Sequence, residues 1–147
     1  MCPSSPYLPK VLSAGLVVVH LDGSRYRLLA VRTYDGWDFP KTHVAEGEDP
    51  LQAALRATRE STGLTDLQLK WGDEWRETLA FDDGRVSRYF LAESTTDAVS
   101  PHDTGSRDGV EEGFEHRWVT AEEAEDMLPP RLALILDWAL ARLATPR

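Results

Sequence analysis

The sequence predicts one domain of the α/β (α+β) class, spanning residues 1 to 147, and three observations carry this prediction. Val11 to Leu21 is apolar and rich in β-branched residues, which is typical of a buried strand. Asp49 to Gly63 carries the start and stop signals of a helix. The segment after Pro129-Pro130 has apolar residues at helical spacing. A chain of this length suits a single hydrophobic core.

The first half of the chain predicts strands followed by a loop. A turn at Asp22-Gly23 separates the first strand from a second one over Tyr26 to Thr33. Trp37 to Pro40 is predicted to be a short extended segment that ends at the proline. Lys41 to Glu48 is predicted to be a polar loop that leads into the central helix.

The central helix is predicted from about Pro50 to Thr62. Asp49 is a suitable N-cap, Pro50 fits the first helical position, and Gln52 stands where a capping box places Gln or Glu. Gly63 provides the left-handed residue that ends a helix.

Two longer strands are predicted after this helix, over Leu67 to Phe81 and Arg85 to Glu93, joined at Asp82-Asp83-Gly84. Ser94 to Gly113 is rich in polar and small residues and is predicted to be a long mobile loop. Phe114 to Val119 is predicted to be the final strand.

The ends of the chain complete the prediction. Thr120 and Glu123 form a capping-box pattern for a short helix, and the last helix follows the proline pair. Residues 1 to 10 are expected to be flexible.

Charge and composition exclude several classes of function. The formal net charge is −9, which disfavours broad contact with nucleic-acid backbones or anionic membranes but not the binding of a small phosphorylated ligand. The longest apolar run, Ala14 to Val19, is too short to span a bilayer. The first residues lack the pattern of a signal peptide, so we expect a cytoplasmic protein. Cys2 is the single cysteine, and no Cys/His cluster has zinc-ligand spacing.

The most informative segment is Trp37 to Leu64, WDFPKTHVAEGEDPLQAALRATRESTGL. It resembles the Nudix box, a loop-helix-loop motif with Gly, five residues, Glu, seven residues, Arg-Glu, an aliphatic residue, any residue, Glu-Glu, any residue, and Gly before a last aliphatic residue. On this chain the pattern begins at Thr42, passes Glu48 and Arg56, and ends at Gly63-Leu64, with both spacings kept.

The resemblance implies a fold and a class of reaction. Nudix proteins are α/β/α sandwiches with a mixed sheet, and many are hydrolases of nucleoside diphosphates linked to another group. The flank Trp37 to Lys41, with His43-Val44, is most similar to the branch that cleaves diadenosine polyphosphates asymmetrically.

Three positions depart from the family pattern. Thr42 replaces the first Gly, Ala57 replaces the Glu of the Arg-Glu pair, and Ser61 replaces the second Glu of the Glu-Glu pair, whereas Glu60 is kept. In the family the three carboxylates at positions 57, 60 and 61 hold Mg²⁺ or Mn²⁺, and their spacing places them on one helix face. The resemblance therefore implies a weakened metal site.

A loop glutamate is the expected compensation. In the diadenosine-polyphosphate branch a Glu six residues before a Trp completes the metal site or acts as base. Relative to Trp118 that position is Glu112, with Glu111 beside it. Glu60 and Glu112 together are expected to bind one metal and activate a water. The alternative is a solvated acidic loop.

The resemblance also assigns supporting roles. Arg56 is expected to orient acidic groups that include Glu48, and Glu48 to brace the loop rather than bind metal. The alternative for Arg56 and Glu60 is a helix-surface ion pair. Lys41 is a candidate metal ligand through its backbone carbonyl and a phosphate contact through its ammonium group.

The other substrate candidates come from the strands. Arg32, at the end of a strand, is a candidate phosphate contact, with a solvated edge residue as the alternative. Tyr89 or Phe81 is a candidate for stacking on a base, with a core residue as the alternative.

The sequence thus predicts a metal-dependent Nudix pyrophosphohydrolase that acts on a nucleoside or dinucleoside polyphosphate. Two alternatives follow from Ala57, Ser61 and Thr42. One is a catalytically silent nucleotide-binding or regulatory domain. The other is an enzyme with altered chemistry on another phosphorylated metabolite.

Overall fold

A computed structural model describes residues 11–33, 36–78, 85–99 and 115–144. Within these ranges the strands are β1 (Val11–Asp22), β2 (Arg25–Thr33), β3 (Gly36–Asp38), β4 (Lys41–His43), β5 (Leu67–Gln68), β6 (Arg76–Glu77), β7 (Arg85–Ser94) and β8 (His116–Val119). The helices are α1 (Pro50–Thr62), α2 (Ala121–Met127) and α3 (Ala133–Ala144), with a 3₁₀ turn at Pro130–Leu132. None of these helices is long and apolar enough to cross a membrane.

The described strands form one mixed sheet, in which β3, β2, β1, β7 and β5 follow one another. The long central strands β1 and β7 are parallel, and β1 pairs antiparallel with β2. Strand β4 adds to β1, β6 adds to β7, and β8 adds to β2. Parallel strands are usually covered on both faces of a sheet, and here the parallel pair of β1 and β7 lies at the centre.

Helices cover both faces of the sheet. On one face the small residues Ala53 and Ala54 of α1 pack against Leu16, Leu29 and Phe90. On the other face α2, the 3₁₀ turn and α3 cover a second apolar cluster. Its members from the central strands and from α3 include Val17, Val19, Leu28, Leu91, Ile135 and Leu136. The predicted α/β/α sandwich with a mixed sheet is therefore confirmed.

The main departure from the predicted elements follows α1. Leu67 to Phe81 was expected to be one long strand, and this prediction is wrong, because within the described part of it, residues 67–78, the strands are the short β5 and β6. The chain turns between them, where the Gly72 N–H donates to the Leu69 carbonyl at 3.2 Å and Gly72 has a φ of +95°. Trp71 then enters the core beside the turn. Phe81 lies outside the described residues.

A second difference concerns the segment before the central helix. Lys41–His43, expected to be loop, is strand β4, because its residues pair with Ser13, Ala14 and Gly15 of β1. The start of the Nudix-like segment is thus held by the central sheet. The predicted tail at 1–10 and most of the predicted loop at 94–113 lie outside the described residues.

Gly15 leaves room for the Tyr89 ring and the backbone of Pro40 beside this segment. A Cβ atom at Gly15 would lie 2.7 Å from Cε1 of Tyr89 and 2.9 Å from the carbonyl oxygen of Pro40. The Tyr89 ring is held in the core, and the oxygen of Pro40 belongs to the backbone. Neither can shift easily to make room for a methyl group. We expect Gly15→Ala to lower the free energy of unfolding by about 3 kcal/mol, measured by urea denaturation.

Gly23→Ala is the matched control for this variant. Gly23 has open space around its Cβ position but a φ of +68°. Gly23→Ala should lower the free energy of unfolding by only about 1 kcal/mol, because of backbone strain. Equal losses at the two positions would contradict the close-approach explanation.

Candidate functional site

The helix that carries the motif begins and ends as its sequence predicts. The Asp49 carboxylate accepts a hydrogen bond from the Gln52 backbone N–H at 3.1 Å, and Pro50 occupies the first turn. Gly63 is left-handed, with a φ of +78°, and its N–H donates to the Arg59 carbonyl at 2.9 Å. Because both ends are fixed, the residues of the motif have a defined position on α1.

Arg56 connects α1 to the loop before it. Its Nη2 lies 3.0 Å from Oε2 of Glu48, and the Oε1 atom of Glu48 accepts a hydrogen bond from the Ala45 N–H at 3.1 Å. Glu48 therefore bonds to both the helix and its own loop. This geometry is the one expected for a bracing glutamate.

Glu60 is the retained carboxylate of the motif, and it points to solvent. Its side chain is 62% exposed, and Oε1 lies 3.9 Å from Nη1 of Arg56. An ion pair of this length at the surface contributes little to stability, so the carboxylate is available to a ligand.

The two substituted positions on α1 are less accessible than Glu60. Ala57 is 8% exposed. The Ser61 hydroxyl is buried and has no hydrogen-bond partner among the described residues. Thr42, the third departure, lies in β4 opposite Ala14, and no described residue other than glycine has a positive φ. Thr42 therefore adopts an ordinary extended conformation.

His116 of β8 is the side chain that approaches Ser61. Burial lowers the pKa of His116, while a hydrogen bond with the Ser61 backbone opposes that change. The imidazole is therefore neutral at pH 7. Its Nε2 atom is buried without a hydrogen-bond partner among the described residues. Sequence reasoning gave no role to His116, because its contact with α1 arises only in the folded sheet.

Lys41 joins a buried polar cluster rather than standing alone. Its Nζ lies 3.0 Å from Oδ2 of Asp38, and Nη2 of Arg131 lies 3.0 Å from the same oxygen. Asp38 is 1% exposed, and its Oδ1 accepts hydrogen bonds from the Tyr89 hydroxyl at 2.8 Å and the Phe39 N–H at 2.6 Å. Sequence reasoning missed both Asp38 and Arg131.

The assignment of Tyr89 as a base-stacking residue is wrong. Its side chain is fully buried, its ring packs against Phe39 with centroids 5.8 Å apart, and its hydroxyl donates to Asp38. Burial, followed by the charge of Asp38, raises the pKa of Tyr89 well above its ordinary value. Tyr89 is therefore a neutral core residue, which was the alternative interpretation.

Arg32 lies on an exposed surface formed by β2, β3 and β8. Its Nη1 is 3.5 Å from Oε1 of Glu115, and its guanidinium carbon is 5.9 Å from the ring centroid of Trp37. Arg117 approaches the same ring at 5.1 Å and the same carboxylate at 3.7 Å. Arg32 is thus accessible to a phosphate, although Glu115 already offsets part of its charge.

The described residues supply few ligands for a metal. No group of three or more His, Cys, Asp or Glu side chains in the described ranges could hold an ion. Glu111 and Glu112, the predicted partners of Glu60, lie outside those ranges. Mg²⁺ commonly uses one or two carboxylates and takes its other ligands from water and substrate phosphates. The exposed carboxylate of Glu60 fits that weak mode of binding.

Residues 10–139 match the family model described as the NUDIX domain. The chain belongs to the NUDIX domain family. Its curated relatives include the asymmetrical bis(5'-nucleosyl)-tetraphosphatases of Caenorhabditis elegans and Mus musculus, each 32% identical to it. The nematode alignment covers 78% of this chain and 82% of the relative, and the mouse alignment covers 74% of each.

Solved structures of the NUDIX family agree with this assignment. The binary complex of C. elegans Ap4A hydrolase superposes with a TM-score of 0.75 at 26% identity, covering 91% of this chain and 98% of that one. The NUDIX domain of Shewanella oneidensis NrtR, solved with ADP ribose, has a TM-score of 0.69 at 16% identity, over 97% and 94% of the two chains. That second likeness concerns the fold alone.

These comparisons confirm two predictions made from the motif. The chain is a NUDIX protein, and it is similar to the asymmetrical diadenosine-polyphosphate hydrolases. They also support the prediction of a pyrophosphohydrolase, because its curated relatives are hydrolases.

Proposed function

We propose that this NUDIX protein hydrolyses a pyrophosphate bond in a nucleoside or dinucleoside polyphosphate, with Mg²⁺ or Mn²⁺ at a weakened site. The observation that carries the proposal is the geometry of α1. Arg56 bonds to Glu48 and leaves the carboxylate of Glu60 exposed on the same helix. A domain that only bound nucleotide would need neither the contact between Arg56 and Glu48 nor the exposed carboxylate of Glu60. The names of its relatives favour a dinucleoside tetraphosphate as substrate.

In this proposal the residues of the motif hold and orient rather than react covalently. Arg56 fixes the loop through Glu48, and Glu60 presents one carboxylate to a hydrated cation. A divalent cation bound there would neutralise phosphate charge and lower the pKa of a bound water. Glu112, with Glu111 beside it, is proposed as the second carboxylate or the base, and Lys41 and Arg32 as phosphate contacts.

Glu60→Gln tests the proposed role of the retained carboxylate. We expect it to lower metal-dependent turnover of diadenosine tetraphosphate by roughly 100-fold or more, because charge stabilisation is usually the largest catalytic contribution. Its free energy of unfolding should change by less than about 0.5 kcal/mol, because the side chain is largely solvated. Product analysis on a panel of nucleotides, with Mg²⁺ or Mn²⁺, measures the turnover.

Glu125→Gln is the matched control. Glu125 is exposed on α2, and the substitution removes the same charge. It should leave turnover unchanged. Equal turnover in Glu60→Gln and the natural chain would overturn the metal assignment.

The second candidate is nucleotide binding without turnover, and the state of positions 57 and 61 favours it. Neither residue offers a carboxylate, Ala57 is almost fully buried, and the Ser61 hydroxyl faces the protein interior. Measurable nucleotide binding, with turnover no higher than that of Glu60→Gln, would select this function or an altered phosphorylated substrate.

A further inference from the structure

Two cationic side chains from distant parts of the chain share one buried carboxylate oxygen. Lys41 Nζ and Arg131 Nη2 each lie 3.0 Å from Oδ2 of Asp38. The two nitrogens are therefore within twice that distance of each other. Such a spacing lets two oxygens of one phosphate, or of two adjacent phosphates, contact both cations.

The cluster carries an excess of positive charge. Among the residues that the structure describes, Asp38 is the carboxylate that pairs with Lys41 and with Arg131. Tyr89, which donates to the other oxygen of Asp38, is a neutral phenol. Two cations thus face one carboxylate, whereas a purely structural ion pair needs only one of each.

The two cations of the cluster are more exposed to solvent than its carboxylate. Asp38 is 1% exposed, while the side chains of Lys41 and Arg131 are 30% and 24% exposed. An anion that approaches from solvent therefore meets the two cations before the carboxylate. Asp38 in turn limits the freedom of both side chains, so less entropy is lost when they bind a ligand.

The cluster lies next to the motif. Lys41 directly precedes Thr42, where the motif begins, and β4 packs against α1. Arg131 reaches the same place from the 3₁₀ turn before α3. The positive charge therefore lies at the start of β4, on the sheet face that carries Tyr89 and is covered by α2 and α3, whereas α1 packs on the other face.

We propose that Lys41 and Arg131 form a phosphate subsite that holds part of the substrate's polyphosphate chain away from the bond that is cleaved. The proposal rests on the proposed function, because it assumes a polyphosphate substrate. It adds Arg131, a residue outside the motif, as a substrate-binding residue. Arg131 supplies the planar fork of donors that suits phosphate oxygens, and Lys41 supplies a point charge.

Calorimetric titration with inorganic tripolyphosphate, in metal-free buffer at low salt, tests the subsite without any need for turnover. Arg131→Gln and Lys41→Gln are each expected to weaken binding roughly tenfold or more. Arg131→Lys, which keeps the charge, should lose less. Arg27→Gln is the matched control, because it removes one charge from an exposed ion pair with Asp22 at the far end of β1.

Thermal unfolding of each variant shows whether it folds. If Arg131→Gln does not fold, Lys41→Gln and Arg131→Lys still test the subsite. Absence of tripolyphosphate binding in the natural chain would overturn the subsite. So would an equal loss of affinity in Arg27→Gln and Arg131→Gln. Tripolyphosphate binding that depends on Arg131, in a chain without turnover, would support the subsite while refuting the proposed hydrolysis. Turnover whose KM is unaffected by Arg131→Gln would support the proposed hydrolysis and refute the subsite.

Discussion

The variant Ala57→Glu with Ser61→Glu is expected to hydrolyse diadenosine tetraphosphate roughly 100-fold faster than the natural chain at limiting Mg²⁺. Positions 57, 60 and 61 lie three and four residues apart on α1, so their side chains share one helix face. Ala57 is 8% exposed and the Ser61 hydroxyl is buried, so the longer glutamate side chains must extend past the edge of the buried face to bring their carboxylates beside Glu60. Clustered carboxylate oxygens are the ligands that hard divalent cations prefer. Steady-state rates across a range of Mg²⁺ concentrations would also show a lower concentration for half-maximal activity.

The same variant should make stability depend on metal. Three carboxylates on one helix face repel one another without a cation, so the metal-free protein should melt at a lower temperature than the natural chain. A cation that binds only the folded state adds about 2.7 kcal/mol when its concentration is 100 times its dissociation constant. Addition of Mg²⁺ should therefore raise the melting temperature of the variant much more than that of the natural chain.

The matched control is Ala57→Gln with Ser61→Gln, which adds similar side chains without charge. It should gain neither turnover nor metal-dependent stability. If the glutamate variant folds and binds Mg²⁺ tightly but does not turn over faster, the weakened metal site does not limit catalysis. If neither the natural chain nor the glutamate variant turns over, the nucleotide-binding alternative replaces the proposed hydrolase.

Local signals in the sequence were sufficient to predict α1 and its neighbours. Asp49, Pro50 and Gly63 act within one or two turns of the helix, so their effect does not depend on the rest of the fold. The capping box of Thr120 and Glu123 is also present in the structure. Because residues at its two ends determine where α1 begins and ends, the positions of the motif residues along the helix could be predicted from the sequence.

Contacts between distant residues could not be predicted in the same way. Asp38 bonds to Tyr89 and Arg131, which are 51 and 93 residues away. His116 meets Ser61 only because β8 pairs with β2 and α1 packs on the sheet. No local pattern marks such residues. The incorrect strand at Leu67 to Phe81 has a different cause. The chain turns at Gly72, which has a φ of +95°, and this glycine is a local turn signal that the prediction did not use.

Asp38→Asn is expected to lower the free energy of unfolding by about 3 kcal/mol, measured by urea denaturation with an unchanged m-value. The amide keeps the shape of the carboxylate, and its oxygen can still accept from Phe39 and Tyr89. Its NH₂ group, however, would face the cations of Lys41 and Arg131, which sit 3.0 Å from Oδ2. A buried attraction between opposite charges would become an unfavourable contact between donors.

Tyr89→Phe distinguishes the contribution of the Asp38 charge to stability from that of the hydrogen bond with Tyr89. It removes one neutral donor to Asp38 and leaves both cations paired, so it should cost about 1 kcal/mol. A loss in Asp38→Asn no larger than that in Tyr89→Phe would mean that the cations are already solvated and that Asp38 does not anchor them. The expected order follows from burial, since the carboxylate lies inside the protein while the cations reach its surface. The proposed phosphate subsite depends on the same arrangement, because Asp38 holds Lys41 and Arg131 in place.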